Sequence, residues 1–582
     1  MPLPTLSRAS LASPWTLAAI LAAMLLVAVY LGFYSQPSGT GIAELYKPIK
    51  PRVVDHTRYF EEKGITRYEG SKTCLECHYD EAVGFFHSYH YQMASLNRGV
   101  NGGKRPLGGR LLLNDYCMAI FLDNGTRPLN WIGYVRLKRA PEGYEQLVGS
   151  FTGLTGCSMC HGVTMGLPPS WNMTREQLEN IDCLACHVKP EVYLSGPIAI
   201  KEGYKNVTRD EQGRWRYEVK IPIDKIAKSI IDKPTAQNCL ACHAFSGGGP
   251  GLKRPNITPD LMDPAKAKRF DVHFAKGLSC VDCHPGSGHG FPTNATDTWN
   301  RERGEARRCV DCHGEKPHRG ITGWIVNRFH ERVACQTCHI PFIAHGSYPT
   351  ELYRDWSAAT FLPEKHRWKF SLPDPETRDT SRWHLYGNLT PVYAWYNGSR
   401  IVYVFPEKAQ PIPLEQARDK IGGTIEASEI KPVNGRLLGA LYYVKPLGGR
   451  DDPNSKIYPF RVHAAIVPYS TKDRLPVPMK VGIAFATGNV TLAALVGAKE
   501  AGISWSPGDY VLLIRYMQVN HGVQPRDKAL FCFDCHGPTV RRMPWPELGY
   551  GHYPEIAFTG ISIAIAAVVV YAAYRIVRSR RS

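Results

Sequence analysis

Apolar residues are distributed along this chain in patterns that change from one region to the next. Near the N-terminus, "PWTLAAILAAMLLVAVYLGFY" (14–34) is a run of about 20 apolar residues, long enough to cross a bilayer as a helix. It shows no small-x-small cleavage site, so a retained anchor is expected rather than a cleaved signal peptide. At the other end, "IAFTGISIAIAAVVVYAAYRIVRSRRS" predicts a second membrane helix over 556–577. It closes on Arg575, Arg578, Arg580 and Arg581, a flank that belongs on the cytoplasmic side. Between these runs, three stretches stand out. "WYNGSRIVYVF" (395–405) sets Asn397-Gly398 before a β-branched and aromatic run, which signals a hairpin. "VTLAALVGAKEAG" (490–502) predicts a helix ended by Gly502. "GDYVLLIRYMQVNHG" (508–522) has Leu and Tyr at helical spacing and predicts another.

The cysteines change this picture. There are 17, and sixteen fall in eight copies of Cys-x-x-Cys-His. The copies are Cys74, Cys77, His78; Cys157, Cys160, His161; Cys183, Cys186, His187; and Cys239, Cys242, His243. The other four are Cys280, Cys283, His284; Cys309, Cys312, His313; Cys335, Cys338, His339; and Cys532, Cys535, His536. Two thiols three residues apart can add to the two vinyl groups of one porphyrin, and the adjacent imidazole then reaches the iron. Zinc knuckles, redox dithiols and disulfides also use Cys-x-x-Cys. Here every such pair carries the adjacent histidine, so eight covalently attached haem c groups are expected.

Haem rings replace much of a side-chain core. The expected fold class is therefore a multihaem cytochrome c, mainly short α-helices and irregular loops around eight haems. A mixed α/β haem-free segment and one transmembrane helix at each end complete it. The domains read as an anchor (14–34), a seven-haem core (70–344), a mixed α/β segment packed on it (345–530), an eighth-haem segment (531–550) and the C-terminal helix (556–577). Haem c is attached outside the cytoplasm. Both termini are accordingly expected to be cytoplasmic, with 35–555 on the periplasmic side of the cytoplasmic membrane.

The formal charge of +18 invites a nucleic-acid reading. Eight haems would bring roughly sixteen propionates, and each ferric iron returns about one charge, which leaves the holoprotein near about +10 oxidised and about +2 reduced. Much of the basic excess then neutralises propionates, and no nucleic-acid partner is expected.

Thirteen histidines lie outside the motifs: His56, His87, His90, His273, His289, His318, His330, His345, His366, His384, His463, His521 and His552. Eight relay haems with two imidazoles each would need eight of them, so histidine supply alone leaves the ligation open. The stretches "TCLECHYDEAVGFFHSYHYQM", "LNDYC", "QNCLACHAFSGGGPGLK", "DVHFAKGLSCVDCH", "CHGEKPH", "RFHERVACQTCHIP", "YAWYNG", "SKIYPFRVHAAIVP" and "NHGVQPRDKALFCFDCH" resemble the octahaem tetrathionate reductase family, in that family's order. The resemblance implies seven distal ligands, His90, His273, His289, His318, His330, His463 and His521. These would pair with His78, His187, His243, His284, His313, His339 and His536. It also implies that the haem on Cys157 and Cys160 is catalytic and ligated by Lys253, and that Asn114 and the seventeenth cysteine, Cys117, stand near its reacting face. The family carries a polar residue three positions before the lysine; Pro250 stands here.

The expected function is reduction of a small nitrogen or sulfur species (nitrite, hydroxylamine or tetrathionate) at Lys253, Cys117 and Asn114. The expected partners are a redox partner or quinol-oxidising membrane protein, a small inorganic substrate, the membrane and a possible homo-oligomer. The alternative is a non-catalytic electron conduit between a quinol-oxidising partner and other redox proteins.

Overall fold

The computed structural model describes residues 46–92, 115, 116, 118, 160–167, 169, 172–212, 215–247, 249–300, 304–357, 359–362, 367–370, 385–423, 425–432, 434–479, 484, 489–536 and 542–579. The run 14–34, Asn114, Cys117, Cys157, His366 and His384 lie outside them.

From 46 to 344 the elements are short. Most of the haem motifs form one helical turn, as in Ala236–His243, Cys309–His313 and Cys335–His339. A turn of helix puts positions i, i+3 and i+4 on one side, so both cysteines and the histidine face the same way. Three motifs carry Asp before the second cysteine, and it caps the turn. Asp282, Asp311 and Asp534 each accept the backbone N–H of the residue preceding the first cysteine at 2.7 Å.

The later region is built on a seven-stranded sheet. Its strands are β1 (Tyr353–Asp355), β2 (Val392–Tyr396), β3 (Arg400–Val402), β4 (Arg436–Pro446), β5 (Lys456–Ser470), β6 (Leu475–Pro476) and β7 (Asp509–Gln518). The main path runs β2-β5-β7-β4-β3, with β1 and β6 also on β5. The β4–β7 and β5–β1 pairs are parallel and the rest antiparallel. The two ends of that path, β2 and β3, are joined by residues 397–399 alone, so the sheet curls on itself. The expected hairpin at Asn397-Gly398 is therefore a turn between opposite edges: β2 pairs with β5 and β3 with β4.

The predicted helix is present at Val490–Glu500, capped by Asn489 and followed by Gly502 at φ +69°. Residues 508–522 correct the other expectation, because they form β7, not a helix. β7 is buried almost along its whole length between β4 and β5. A strand covered on both faces loses the polar alternation that marks strands, and its continuous apolar run then passes for a helix.

At the C-terminus, Tyr553–Ser579 is a helix of 27 residues, long and apolar enough to cross a membrane, and its apolar stretch is almost wholly exposed.

Candidate functional site

The histidines fall into a pattern that bears directly on haem. Seven motif histidines each lie beside one other histidine, with ring centres 5.9–6.3 Å apart. The pairs are His56–His78, His90–His243, His187–His289, His273–His313, His284–His521, His318–His339 and His330–His536. An iron bound on both faces by imidazole needs about 2.0 Å to each nitrogen and about 1.1 Å more to each ring centre, or about 6.2 Å overall. The pairs fit that group. Several rings are also oriented from behind: Nδ1 of His56, His187 and His284 meets the carbonyl oxygens of Val54 (2.7 Å), Ile231 (3.0 Å) and Pro292 (2.7 Å). That fixes the tautomer and leaves Nε2 for metal. Burial holds His90, His161, His339 and His521 down to about 4 and His243 to about 3. They are neutral at physiological pH, the form that binds iron.

Six of the seven expected distal histidines are in these pairs. His463 is not, and His56 stands in its place. Fully buried on β5, His463 has Nδ1 2.8 Å from Asp115 and Nε2 3.3 Å from Glu351. Both ring nitrogens are engaged by carboxylates, and no motif histidine lies beside it among the described residues.

The remaining motif histidine, His161, lies near Lys253, whose charge helps burial hold its pKa down. The glycine run ahead of the lysine has a steric reason. Gly247 sits at φ +88°, and a Cβ there would meet Cβ of Lys253 at 2.8 Å and Cδ1 of Tyr116 at 3.0 Å. Lys253 is partly buried, and its amine is pushed down to about 7, by desolvation first and then by Arg515 and Arg254, against the pull of Asp297 and Asp115.

Around this lysine, one face of the sheet supplies a continuous buried polar chain. Register places His463 opposite Arg515, Arg461 opposite Met517 and Arg354 opposite Ala465, so the three arginines and His463 share that face. Arg254 bonds Asp297 at 2.8 Å, and Arg515 reaches Asp297 at 3.4 Å and also bonds Asp115. Asp115 and Glu351 hold His463 between them, and Arg354 bonds Glu351 at 2.8 Å. Burial would raise the Asp115 and Asp297 carboxyls, but the arginines win and hold both well below the usual carboxylate range.

Tyr116 stacks on His463, ring centres 4.2 Å apart and 15° from parallel, and its hydroxyl accepts from Arg461. Burial raises the phenol pKa, so it keeps its proton. Lys253 Nζ stands 5.7 Å from the centre of the same ring. The sheet also pins the lysine loop: the Leu252 carbonyl accepts from Arg461 Nη2 at 3.0 Å and from Thr350 Oγ1 at 2.9 Å.

Thiols of different motifs also approach one another. Cys74 meets Cys183, Cys239 meets Cys280, Cys160 meets Cys242 and Cys309 meets Cys335. Cys186 lies near Cys242, Cys283 near Cys312, and Cys338 near Cys535. The motifs thus follow one another in the order 74, 183, 239, 280, 309, 335, 532, with the Cys157–His161 motif branching at 239.

Comparison with known proteins agrees with this geometry. A family model described as "Cytochrome c bacterial" matches residues 352–539, and one described as "Cytochrome c7 and related cytochrome c" matches 266–340. The crystal structure of an octaheme cytochrome c from Shewanella oneidensis superposes with a TM-score of 0.56 at 23% identity, over 82% of this chain and 93% of that one, a likeness of fold. The chain has a multihaem cytochrome c fold, and its cytochrome c matches point to an extracytoplasmic haem region.

More particularly, it belongs to one family with an uncharacterized protein of Archaeoglobus fulgidus, 63% identical over 276 residues that cover 47% of this chain and 90% of that protein. The dissimilatory sulfite reductase MccA of Wolinella succinogenes is 25% identical over 201 residues, 26% of this chain and 27% of its own length.

Sequence reasoning missed Tyr116, Arg354, Arg461, Arg515 and the true setting of His463. A signal was present, since "PFRVHAAIV" and "VLLIRYM" each place an arginine inside an apolar strand, where a charge needs a partner.

Proposed function

We propose that the chain is a membrane-anchored, extracytoplasmic multihaem oxidoreductase that reduces a small nitrogen or sulfur species beside Lys253. The reading is carried by one observation: seven motif histidines have a histidine partner at haem spacing, whereas His161 has Lys253 in its vicinity instead. Bound at Cys157 and Cys160, haem would supply a Lewis-acidic centre that passes single electrons. The chain's own residues do the rest. A lysine amine with its pKa near 7 is available in neutral form as a strong σ-donor. Four arginines against three carboxylates give the surroundings a positive balance that suits an oxyanion. The Tyr116 hydroxyl accepts from Arg461 and, held high by burial, keeps its proton at physiological pH. Asn114 and Cys117 belong to the same segment and are proposed to bind the substrate.

Candidate substrates are nitrite, hydroxylamine and tetrathionate, together with sulfite, which the distant relative reduces by name. Lys253→His and Cys117→Ala test the proposal in the haem-loaded chain. Lys253→His should shift the spin state of one haem and lower turnover. Cys117→Ala should keep all eight haems and lower turnover by roughly 10²-fold, the scale of one positioned catalytic group. Full turnover in both variants would sink the roles given to Lys253 and Cys117, and no turnover of any of the four substrates by the unsubstituted chain would sink the enzyme reading. The conduit reading is favoured by a different observation: the thiol contacts link seven motifs in a line that bypasses Cys157–His161.

A further inference from the structure

The eighth haem motif stands at one end of that line, reached through Cys338 and Cys535. The chain beyond it is held firmly. Trp545 stacks on His536, ring centres 5.2 Å apart at 26°, and its indole N–H donates to the Cys535 carbonyl at 3.0 Å. Met543, Trp545 and Leu548 are buried with Tyr393, Trp395 and Ile457 of the sheet. Trp395 Nε1 donates to the Leu548 carbonyl at 3.0 Å, and Arg450 donates to the Gly549 carbonyl at 2.7 Å. The membrane-length helix begins at Tyr553, and the motif helix Cys532–His536 touches it. An aromatic residue at that start suits a headgroup boundary. The eighth motif is thus fixed rigidly against the base of the helix.

We propose that Cys532–His536 is the membrane-side port of the haem line, where electrons arrive from a hydroquinone dissolved in the bilayer. A carrier confined to hydrocarbon must be uncharged in both redox states, because ions are excluded there. A hydroquinone meets this by releasing two protons with its two electrons. The step balances as hydroquinone to quinone, with two ferric haems reduced one after the other and two protons passed to extracytoplasmic water. Trp545 is the positioning residue, since it ties the ring of His536 to the segment that enters the membrane. The port serves either fate of the electrons, reaction near Lys253 or transfer to another protein, so it stands or falls separately from the enzyme reading. Its rival is the opposite end of the line, where His56 pairs with His78.

The experiment uses the intact, haem-loaded chain in phosphatidylcholine vesicles with menadiol as the lipid-soluble probe, followed by rapid-mixing haem spectra. His330→Met and His56→Met each put a thioether on one terminal haem, which raises its potential and gives it its own spectrum. In His330→Met, the altered haem should take the first electron and delay reduction of the others about tenfold, the effect of about 59 mV for one electron. In His56→Met the altered haem should show no such early phase. Should His330→Met fail to load, Trp545→Ala serves instead, and should slow reduction by menadiol about tenfold while reduction by dithionite is unchanged. Delay in His56→Met but not His330→Met would overturn the proposal. So would equal delay in both, an unchanged menadiol rate in Trp545→Ala, or no reduction by menadiol of a chain that dithionite reduces fully.

Discussion

Between residues 46 and 344 the longest described helix is Gly320–Phe329, ten residues, and the buried apolar clusters are small. From 345 to 530 a strand of 15 residues, Lys456–Ser470, crosses one large cluster that includes Phe460, Val462, Ile466, Leu512 and Ile514. The first region is organised by attachment points, with turns of helix presenting thiols and histidines at a fixed spacing. The second is organised by side-chain packing, and it commits its buried charges to a wall for the lysine loop. The same chain therefore has one part whose interior is meant for a cofactor and one whose interior is its own.

The largest effect that would sharpen this contrast is expected on the sheet. Arg515→Ala removes the cation shared by buried Asp115 and Asp297, leaving one with His463 and the other with Arg254, a loss of about 3–5 kcal/mol, read as a lower melting temperature with haem content unchanged. Leu512→Ala, fully buried on β7, should cost about 2–5 kcal/mol by the same measurement. If either change left the melting temperature alone, the sheet would not be the self-supporting half.

Two histidines, buried His463 and half-buried His56, separate the halves more finely. His463→Ala should cost about 1–3 kcal/mol, because buried Asp115 and Glu351 both lose the ring that lies between them, while no haem changes its spin state. His56→Ala should do the reverse: little change in stability, but one haem of eight moved away from low spin, visible in the electron paramagnetic resonance spectrum. A spin-state change in His463→Ala would restore it as a ligand and dissolve the contrast. The smallest effect is expected at the exposed cap Asp311→Ala, about 0.5–1 kcal/mol, as a slight fall in melting temperature.

These two regions were not equally legible from sequence. Covalent attachment needs a fixed local spacing, so all eight motifs could be read directly. Of the seven histidines that the resemblance offers as distal ligands, six stand beside a motif histidine. His463 lies instead between two carboxylates, and a histidine in a matching stretch does not show what its ring touches. Its carboxylate partners, Asp115 and Glu351, lie 348 and 112 residues away along the chain. β7 misled for a related reason, since a central strand buried on both faces carries no alternation to read. The Lys253 loop came from the resemblance, whereas the arginines around it became visible only once register put them on one face.

The proposed function predicts seven bis-histidine haems and an eighth with Lys253 in its ligand set. Near-infrared magnetic circular dichroism of the fully oxidised, haem-loaded protein distinguishes bis-imidazole from amine ligation and counts each. The predicted result is seven bis-imidazole haems and one with an amine, with the amine signal lost in Lys253→Ala and the other seven unmoved. Eight bis-imidazole haems in the unsubstituted protein, or a spectrum that Lys253→Ala leaves unchanged, would contradict it.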